Sequence, residues 1–209
     1  FAGALENNED TGTLQYLAST AMEAGFSTRV LDMQALDLQN GRFFDPAGEL
    51  VNRCFKLYPW EWMVDESPDG CLAEMEWLEP IWKLVMSNKA ILATLYELFP
   101  DSPYVLPCYL SRPRSGLFCK KPVFSREGHN VSVVDIRDWE EYVRIAETEG
   151  DYNTGAYVYQ EYVEPTAYSG RYPVIGSWII GGEAAGIGIR ENRMEVTDNL
   201  SEFVPHIIG

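Results

Sequence analysis

Residues 112–136 read RPRSGLFCKKPVFSREGHNVSVVDI, and this stretch decides how we interpret the fold. Two runs rich in β-branched and aromatic residues, 117–124 and 131–136, flank a six-residue polar loop. Runs of this kind bounded by polar residues and Gly predict two β-strands joined by a loop. The second half of the chain is therefore expected to be built mainly from strands.

Three further strands are predicted downstream of this pair. Residues 156–163 are rich in Tyr and Val, and residues 172–180 and 184–189 flank the dipeptide Gly181-Gly182. A two-residue Gly-Gly connection between β-rich runs is a strong hairpin signal, because both glycines tolerate the positive φ of the tight turns.

Helical spacing of apolar residues marks two segments beside these strands. Residues 88–99 form an apolar run that ends before Pro100, and residues 138–149 begin with Asp138, a residue typical of an N-cap. We predict a helix over each segment. The wider region 61–101 carries nine acidic and two basic residues and is expected to be largely helical.

The first sixty residues predict an α/β segment. A short apolar opening precedes the run Glu6 to Asp10, which supplies turn and capping chemistry for a helix that Gly25 ends. We interpret this acid and amide run as helix capping rather than as a metal site. The remaining predicted elements are a strand over 27–33, a hairpin over 42–51 and a strand over 54–58.

Composition narrows the class of protein. Sixteen Lys and Arg against 32 Asp and Glu give a net charge of −16 in 209 residues, which argues against nucleic-acid or anionic-membrane binding. No apolar run reaches the roughly 18 residues of a membrane span, and no signal-peptide pattern opens the chain. Four widely spaced cysteines without a CxxC pair favour a reducing compartment without structural zinc, so we expect a cytoplasmic protein. Because the chain begins with Phe1 rather than Met, we expect it to be part of a longer protein.

The charge reverses locally in residues 112–126, which hold five cations and no acid. A patch of one sign concentrates ligands of the opposite sign. Lys121 precedes the loop 125–130, where Ser125 and Gly128 allow successive backbone N–H groups to converge on an anion. The alternative interpretation is a polar hairpin turn with solvated cations.

Three more positions are candidates, each with a structural alternative. Lys89 lies at the start of an apolar helix, where a cation opposes the helix dipole, although lysines at helix ends are common surface residues. Gln160 and Glu161 interrupt a strand and could hold a flat heterocycle, or simply mark an edge strand. Arg190 follows the strand 184–189 and could stabilise a developing anion, or belong to a polar turn.

Five ordered segments together resemble one known family. They are the run SNKAIL at 87–92 followed by LFP at 98–100, Lys121-Pro122 with REGHNV at 126–131, Gln160-Glu161, GIR at 188–190, and FVPHI at 203–207. These segments resemble those of glutathionylspermidine synthase-like proteins, in the same order and over nearly the whole chain.

The resemblance implies an α+β protein with the ATP-grasp fold, preceded by an α/β, pre-ATP-grasp-like segment. It implies that residues 1–60 form the preceding segment and residues 61–209 the nucleotide-binding region. The family's synthetase members join a carboxylate to an amine through an acyl phosphate, with ATP and Mg²⁺. The expected substrates are a peptide-like acid and an amine, a polyamine among them.

Site residues follow from the same resemblance. Lys89 and Lys121 are expected at the phosphates and adenine region, and the loop with Ser125, Arg126, Glu127 and Gly128 is expected over the β- and γ-phosphates. The strand from Gln160 through Glu161 and Tyr162 to Val163 is expected to hold the adenine. Arg190 is expected to stabilise the transferring phosphoryl group.

Two departures from the family pattern leave a second interpretation open. Ser125 replaces a Gly of the family loop, and Glu127 adds a negative charge there. The family's acid-and-Asn magnesium cluster lies upstream of the region resembled, so no residue here is assigned to the metal and the fragment alone is expected to be inactive. The alternatives to a ligase are a non-catalytic nucleotide-binding or scaffold module of the same fold, and a sugar- or nucleotide-phosphate enzyme with a similar loop.

Overall fold

The computed structural model of the protein describes residues 1–138, 141–152, 155–196 and 201–207. The chain is mixed α and β, and its internal contacts divide it into two units, 1–86 and 87–209. This division falls at a different residue from the expected functional boundary at residue 60. Assignment of the two regions to pre-ATP-grasp and ATP-grasp parts stays a prediction.

A parallel sheet organises the first unit. The first strand and the second pair in parallel, with Ala2 opposite Leu31, and the helix between them makes the predicted βαβ connection. The order of strands across this sheet is β2 (Leu31–Asp32), β1 (Ala2–Gly3), β6 (Arg53–Leu57) and β7 (Glu76–Leu78), and each neighbouring pair is parallel. The elements are β1 (Ala2–Gly3), α1 (Asn8–Glu23), β2 (Leu31–Asp32), a 3₁₀ turn (Met33–Ala35), β3 (Asp37–Gln39), β4 (Arg42–Phe44), β5 (Leu50–Val51), β6 (Arg53–Leu57), α2 (Trp60–Glu66), α3 (Pro68–Cys71), β7 (Glu76–Leu78), a second 3₁₀ turn (Ile81–Lys83) and α4 (Leu84–Ser87).

Local signals position several of these elements. The Asn7 side chain accepts a hydrogen bond from the Glu9 N–H at 2.9 Å, which confirms that the acid and amide run caps α1. The chain leaves the helix through Gly25 at φ +91, a conformation that favours glycine. The predicted hairpin over 42–51 is also confirmed, since Phe43 pairs with Val51.

Two sequence-based predictions in this unit needed correction. The strand expected over 27–33 is only two residues long, because a 3₁₀ turn follows it directly. A strand not predicted from sequence, β7, pairs in parallel with β6 and places Trp77 in the core beside Trp60 and Phe43. Its short run, Glu-Trp-Leu, lies in an acidic region whose composition favoured helix.

The second unit contains two antiparallel sheets. The order in the first sheet is β11 (Tyr142–Glu147), β10 (Ser132–Ile136), β9 (Gly116–Pro122), β12 (Tyr157–Glu161) and β8 (Cys108–Tyr109). The order in the second sheet is β13 (Tyr172–Ile180), β14 (Glu183–Asn192) and β15 (Glu202–Val204). Helix α5 packs against the first sheet through Ala93, which lies in a cluster with Cys108 and Val158. The elements are α5 (Ala90–Leu98), β8 (Cys108–Tyr109), β9 (Gly116–Pro122), β10 (Ser132–Ile136), β11 (Tyr142–Glu147), β12 (Tyr157–Glu161), β13 (Tyr172–Ile180), β14 (Glu183–Asn192) and β15 (Glu202–Val204).

The two strands predicted over 117–124 and 131–136 are confirmed. Strands β9 and β10 are antiparallel, with Cys119 opposite Val133, and the 125–130 loop connects them. The hairpin at Gly181-Gly182 is confirmed as well, both glycines having positive φ.

The helix predicted over 138–149 is wrong in the described part of that segment. Residues Tyr142–Glu147 form β11, which pairs antiparallel with β10. The Asp138 carboxylate caps no helix there and instead accepts the Glu141 N–H at 2.8 Å. Trp139, part of the predicted apolar side, lies outside the described residues.

No helix among the described residues is both long and apolar enough to span a bilayer.

Candidate functional site

Lys121 and Gln160 form the centre of the candidate site. They lie on the adjacent strands β9 and β12, and the Lys121 Nζ donates to Gln160 Oε1 at 2.6 Å. Lys121 is in register with Val158, and paired residues of an antiparallel ladder share a face. Both polar side chains therefore lie on the face of the sheet against which α5 packs.

Lys89 joins this region from its position immediately before α5. Its backbone N–H donates to Val123 O at 2.8 Å, two residues beyond Lys121. Its Nζ donates to the Ser125 carbonyl oxygen and, at 2.9 Å, to Ser125 Oγ. The lysine is therefore tied to the beginning of the 125–130 loop, and the Asn88 side chain rather than Lys89 caps the helix by accepting the Ala90 N–H.

The 125–130 loop has the conformation of a backbone-lined turn. Glu127, Gly128 and Asn130 have φ of +55, +72 and +55, and the His129 N–H donates to Arg126 O at 2.9 Å. The backbone N–H groups of Glu127 and Gly128 donate to no acceptor among the described residues. Successive N–H groups in such a turn are a favourable setting for an anion.

Asn130 fastens this loop to the segment that follows β11. Its amide donates to Gly150 O at 2.8 Å, and its oxygen accepts the Tyr152 N–H at 2.7 Å. Gly150 is required there by close approach, since a Cβ would lie 2.4 Å from His129 Cβ. The loop is thus anchored at one end by Lys89 and at the other by Asn130.

The end of β12 presents fewer free backbone groups than the sequence suggested. The Glu161 N–H donates to Pro107 O at 2.8 Å, and the Tyr162 N–H donates to Leu117 O at 3.0 Å. The Val163 N–H has no acceptor among the described residues, so it is the donor left for a ligand at this end. The Tyr162 hydroxyl donates to Glu195 at 2.7 Å, and this bond is the main cause that raises the pKa of Tyr162 to about 12.

Arg190 lies inside a strand and not beyond one. Strand β14 continues to Asn192, and Arg190 is in register with Val174 and Phe203. Its guanidinium carbon is 5.8 Å from the centroid of the Phe203 ring. Arg190 thus belongs to the β13-β14-β15 sheet, whereas Lys121 belongs to the five-stranded sheet.

The five cations of residues 112–126 do not all lie on one surface of the protein. Lys120 and Lys121 are consecutive in β9, so their side chains lie on opposite faces of the sheet. Lys121 belongs to the candidate site. Lys120 and Arg112 line a separate cavity on the other face, which the sequence analysis did not distinguish.

The cysteines and acids define no metal centre in the described part of the chain, where no group of three or more potential ligands is present. Cys54, Cys71 and Cys108 are buried and Cys119 is half-buried, all as free thiols. Burial raises the pKa of each thiol, which favours the unreactive protonated form. No residue of this chain is assigned to Mg²⁺.

The fold is that of an α+β protein. Along the chain, a unit with a parallel sheet comes first, and a unit with antiparallel sheets follows it. The second unit carries the polar 125–130 loop beside Lys89 and Lys121. The chain belongs to the glutathionylspermidine synthase family, since the family model described as "Glutathionylspermidine synthase preATP-grasp" matches residues 1–209. The predicted family is thereby confirmed.

Curated relatives agree with this membership. The chain is 36% identical over 207 residues to a putative acid–amine ligase of Haemophilus influenzae, covering 95% of this chain and 53% of that protein. It is 35% identical over 130 residues to the trypanothione synthetase of Crithidia fasciculata, covering 61% and 19%. It is 26% identical over 232 residues to the bifunctional glutathionylspermidine synthetase/amidase of Escherichia coli, covering 96% and 36%. The chain thus spans about half or less of the length of these relatives.

Proposed function

We propose that the intact protein is an ATP- and Mg²⁺-dependent carboxylate–amine ligase of the glutathionylspermidine synthase type, with an ATP-grasp nucleotide site. The observation that carries the proposal is the pair of anchored lysines beside the 125–130 loop. Lys121 is held by Gln160 and Lys89 by Ser125, and both partners are neutral acceptors. Lys121 therefore keeps its positive charge available to a polyanion.

In the proposed reaction, a carboxylate oxygen of the acid attacks the γ-phosphorus of ATP and ADP leaves, giving an acyl phosphate. The amine nitrogen then attacks the acyl carbon, the C–O bond to phosphate breaks, and the nitrogen loses a proton as the amide forms. Phosphoryl transfer depends mainly on positioning and on positive charge where negative charge spreads. We assign that electrostatic role to Lys89, Lys121 and Arg190.

The loop and the end of β12 have complementary roles in this proposal. The N–H groups of Glu127 and Gly128 receive phosphate oxygens, with Ser125 and Arg126 at the entrance of the loop. The segment from Gln160 through Glu161 and Tyr162 to Val163 borders the adenine, and Val163 supplies the backbone donor. Relatives named for glutathionylspermidine make glutathione and spermidine the first acid and amine to test.

A matched pair of neighbouring lysines tests nucleotide binding. ATP or ADP at 100 times its Kd is expected to raise the Tm of the whole protein by about 5–10 °C. Lys121→Met is expected to weaken nucleotide binding by about 10–100-fold, because a charge-assisted contact is lost. Lys120→Met removes the adjacent charge from the other face and is expected to change the affinity less than about twofold.

Thermal shift and calorimetric titration measure both variants. Equal affinity for nucleotide in Lys121→Met and the wild type would contradict the assignment. A hydroxamate formed from the acid in the presence of ATP and hydroxylamine, before amine is added, would identify the acyl phosphate.

A non-catalytic module is the second candidate, and one observation favours it. Glu127 places a carboxylate in the loop proposed to receive phosphates, at φ +55 and exposed to solvent. Nucleotide binding without phosphate release, across peptide-like acids and polyamines, would select this candidate over the ligase.

A further inference from the structure

A second cation-lined cavity lies on the face of the five-stranded sheet opposite Lys121. Its volume is about 90 Å³. The lining side chains are Arg112, Lys120, Val134, Ile136, Tyr142 and Tyr159. None of these described lining residues is acidic.

The register of the sheet separates this cavity from the candidate nucleotide site. Lys120 pairs with Tyr159 on one side and with Ser132 on the other, so these three side chains share a face. Lys121 pairs with Val158 and shares the opposite face with Gln160. Two adjacent lysines thus serve two surfaces of one sheet.

Aromatic rings rather than carboxylates hold the two cations. The Lys120 Nζ is 3.9 Å from the centroid of the Tyr157 ring, and the Arg112 guanidinium carbon is 4.9 Å from that of Tyr142. Arg112 Nη2 donates to the backbone oxygen of Asp138 at 2.9 Å. Among the described residues neither cation forms an ion pair, although the chain has twice as many acids as bases. Within the described ranges, two half-buried positive charges therefore remain without a counter-charge.

One donor in the cavity wall is also unsatisfied. Arg112 Nε is buried and has no hydrogen-bond partner among the described residues. A buried donor without an acceptor is destabilising, and native structures contain few of them. Burial raises the pKa of the nearby Tyr159 hydroxyl, so this group remains protonated and able to donate.

We propose that this cavity is a binding site for a small oxyanion, a carboxylate or a phosphate group, held between Arg112 and Lys120. An anion there supplies both the missing counter-charge and an acceptor for the Arg112 guanidinium. The cavity has space for about three water molecules at ~30 Å³ each, whereas ligands of nucleotide size occupy roughly 300 Å³ or more. The site therefore accepts an oxyanion group and excludes a whole nucleotide.

The test follows the Arg112 Nε–Hε resonance in ¹H–¹⁵N spectra of the whole protein, with the signal assigned from its loss in Arg112→Gln. Inorganic phosphate and acetate are titrated separately at constant ionic strength, so the two arms identify which oxyanion is preferred. The resonance is expected to shift saturably with at least one of them. In Lys120→Met the affinity is expected to fall about tenfold, the loss of one charged contact.

Lys121→Met is the matched control and is expected to keep the wild-type affinity for the anion. Arg112→Gln gives a second test by calorimetry, in which the anion-binding heat should disappear even if Lys120→Met folds poorly. Any one of three results would overturn the proposal. The Arg112 resonance would not shift, the affinity of folded Lys120→Met for the anion would be unchanged, or stoichiometric ADP would displace the anion.

Discussion

Lys120 and Lys121 are consecutive residues of β9, and their side chains lie on opposite faces of the sheet. Along the sequence both belong to one basic stretch with Arg112, Arg114 and Arg126. Alternation along β9 separates them, and the partners differ accordingly: Gln160 holds Lys121, while the Tyr157 ring lies against Lys120. The face of the sheet on which a lysine of β9 lies, and therefore the site to which it can contribute, depends on whether its position along the strand is odd or even.

Glu127 and Asn130 show how backbone conformation selects residues in the loop. Both have φ of +55, a conformation that costs a residue with a Cβ about 1–2 kcal/mol. Asn adopts it more readily than most residues, and here its side chain also forms two hydrogen bonds. Glu127 has no such compensation among the described hydrogen bonds, and its placement fits a loop whose conformation is imposed by its neighbours.

The Asn130 anchor leads to a prediction at this scale. Asn130→Ala is expected to reduce the free energy of unfolding by about 2–4 kcal/mol, through two lost hydrogen bonds and an Ala at positive φ. Asn130→Gly loses the same bonds but tolerates the backbone, so about 1–2 kcal/mol is expected. Urea denaturation measures both. Equal losses in the two variants would show that the backbone conformation contributes nothing.

Among the elements, β11 shows how tertiary pairing overrides a local pattern. Apolar residues at helical spacing after Asp138 predicted a helix, yet 142–147 form an edge strand. Every residue of that strand is exposed, so a helix there would have had no core to receive its apolar side. The unpaired edge of β10 supplied hydrogen-bond partners instead, and Tyr, Val and Ile suit a strand equally well.

The end of β12 provides a pH prediction for one element. The hydrogen bond to Glu195 raises the pKa of Tyr162 to about 12, so Glu195→Gln is expected to lower that pKa towards the ordinary value of about 10. Tyr58 is the internal control, because burial first and Glu66 second raise its pKa to about 12. Titration of ¹³Cζ-labelled tyrosine by NMR follows both.

The sign of the linked stability change follows from the raised pKa. The contribution of Tyr162 is fully present below its unfolded pKa of about 10 and is lost as the pH rises through the folded value of about 12. Glu195→Gln should reduce this alkaline loss of stability. A Tyr162 pKa that stays near 12 in the variant would contradict the assignment of the hydrogen bond.

At the scale of the whole molecule, the candidate residues all lie in one of the two units. Lys89, Lys121, Gln160 and Arg190 belong to 87–209, whereas the core of Trp60, Trp77 and their neighbours belongs to 1–86. The family model nevertheless spans both units. Family membership therefore concerns the whole chain, while the proposed chemistry concerns the second unit.

Amide hydrogen exchange tests whether the nucleotide binds in the second unit. ADP is expected to slow amide exchange in β9, in the 125–130 loop and at the end of β12, because a bound ligand suppresses local opening. Exchange in β6 and β7 serves as the internal reference and is expected to change less. Protection confined to residues 1–86 would contradict the placement of the nucleotide in the second unit.

The sequence by itself determined the elements whose signals are local. Asn7 and Gly25 bound α1, Gly181-Gly182 sets the hairpin, and Pro100 follows the end of α5, because capping and positive φ depend on one or two neighbouring residues. The ordered segments also identified the family. Only the tertiary structure decided that 142–147 would be a strand, that Glu76–Leu78 would join the parallel sheet, and that Lys120 and Lys121 would serve different faces. Each of those outcomes depends on which strand lies alongside and on which face of the sheet each side chain lies, and the local pattern of residues does not specify either.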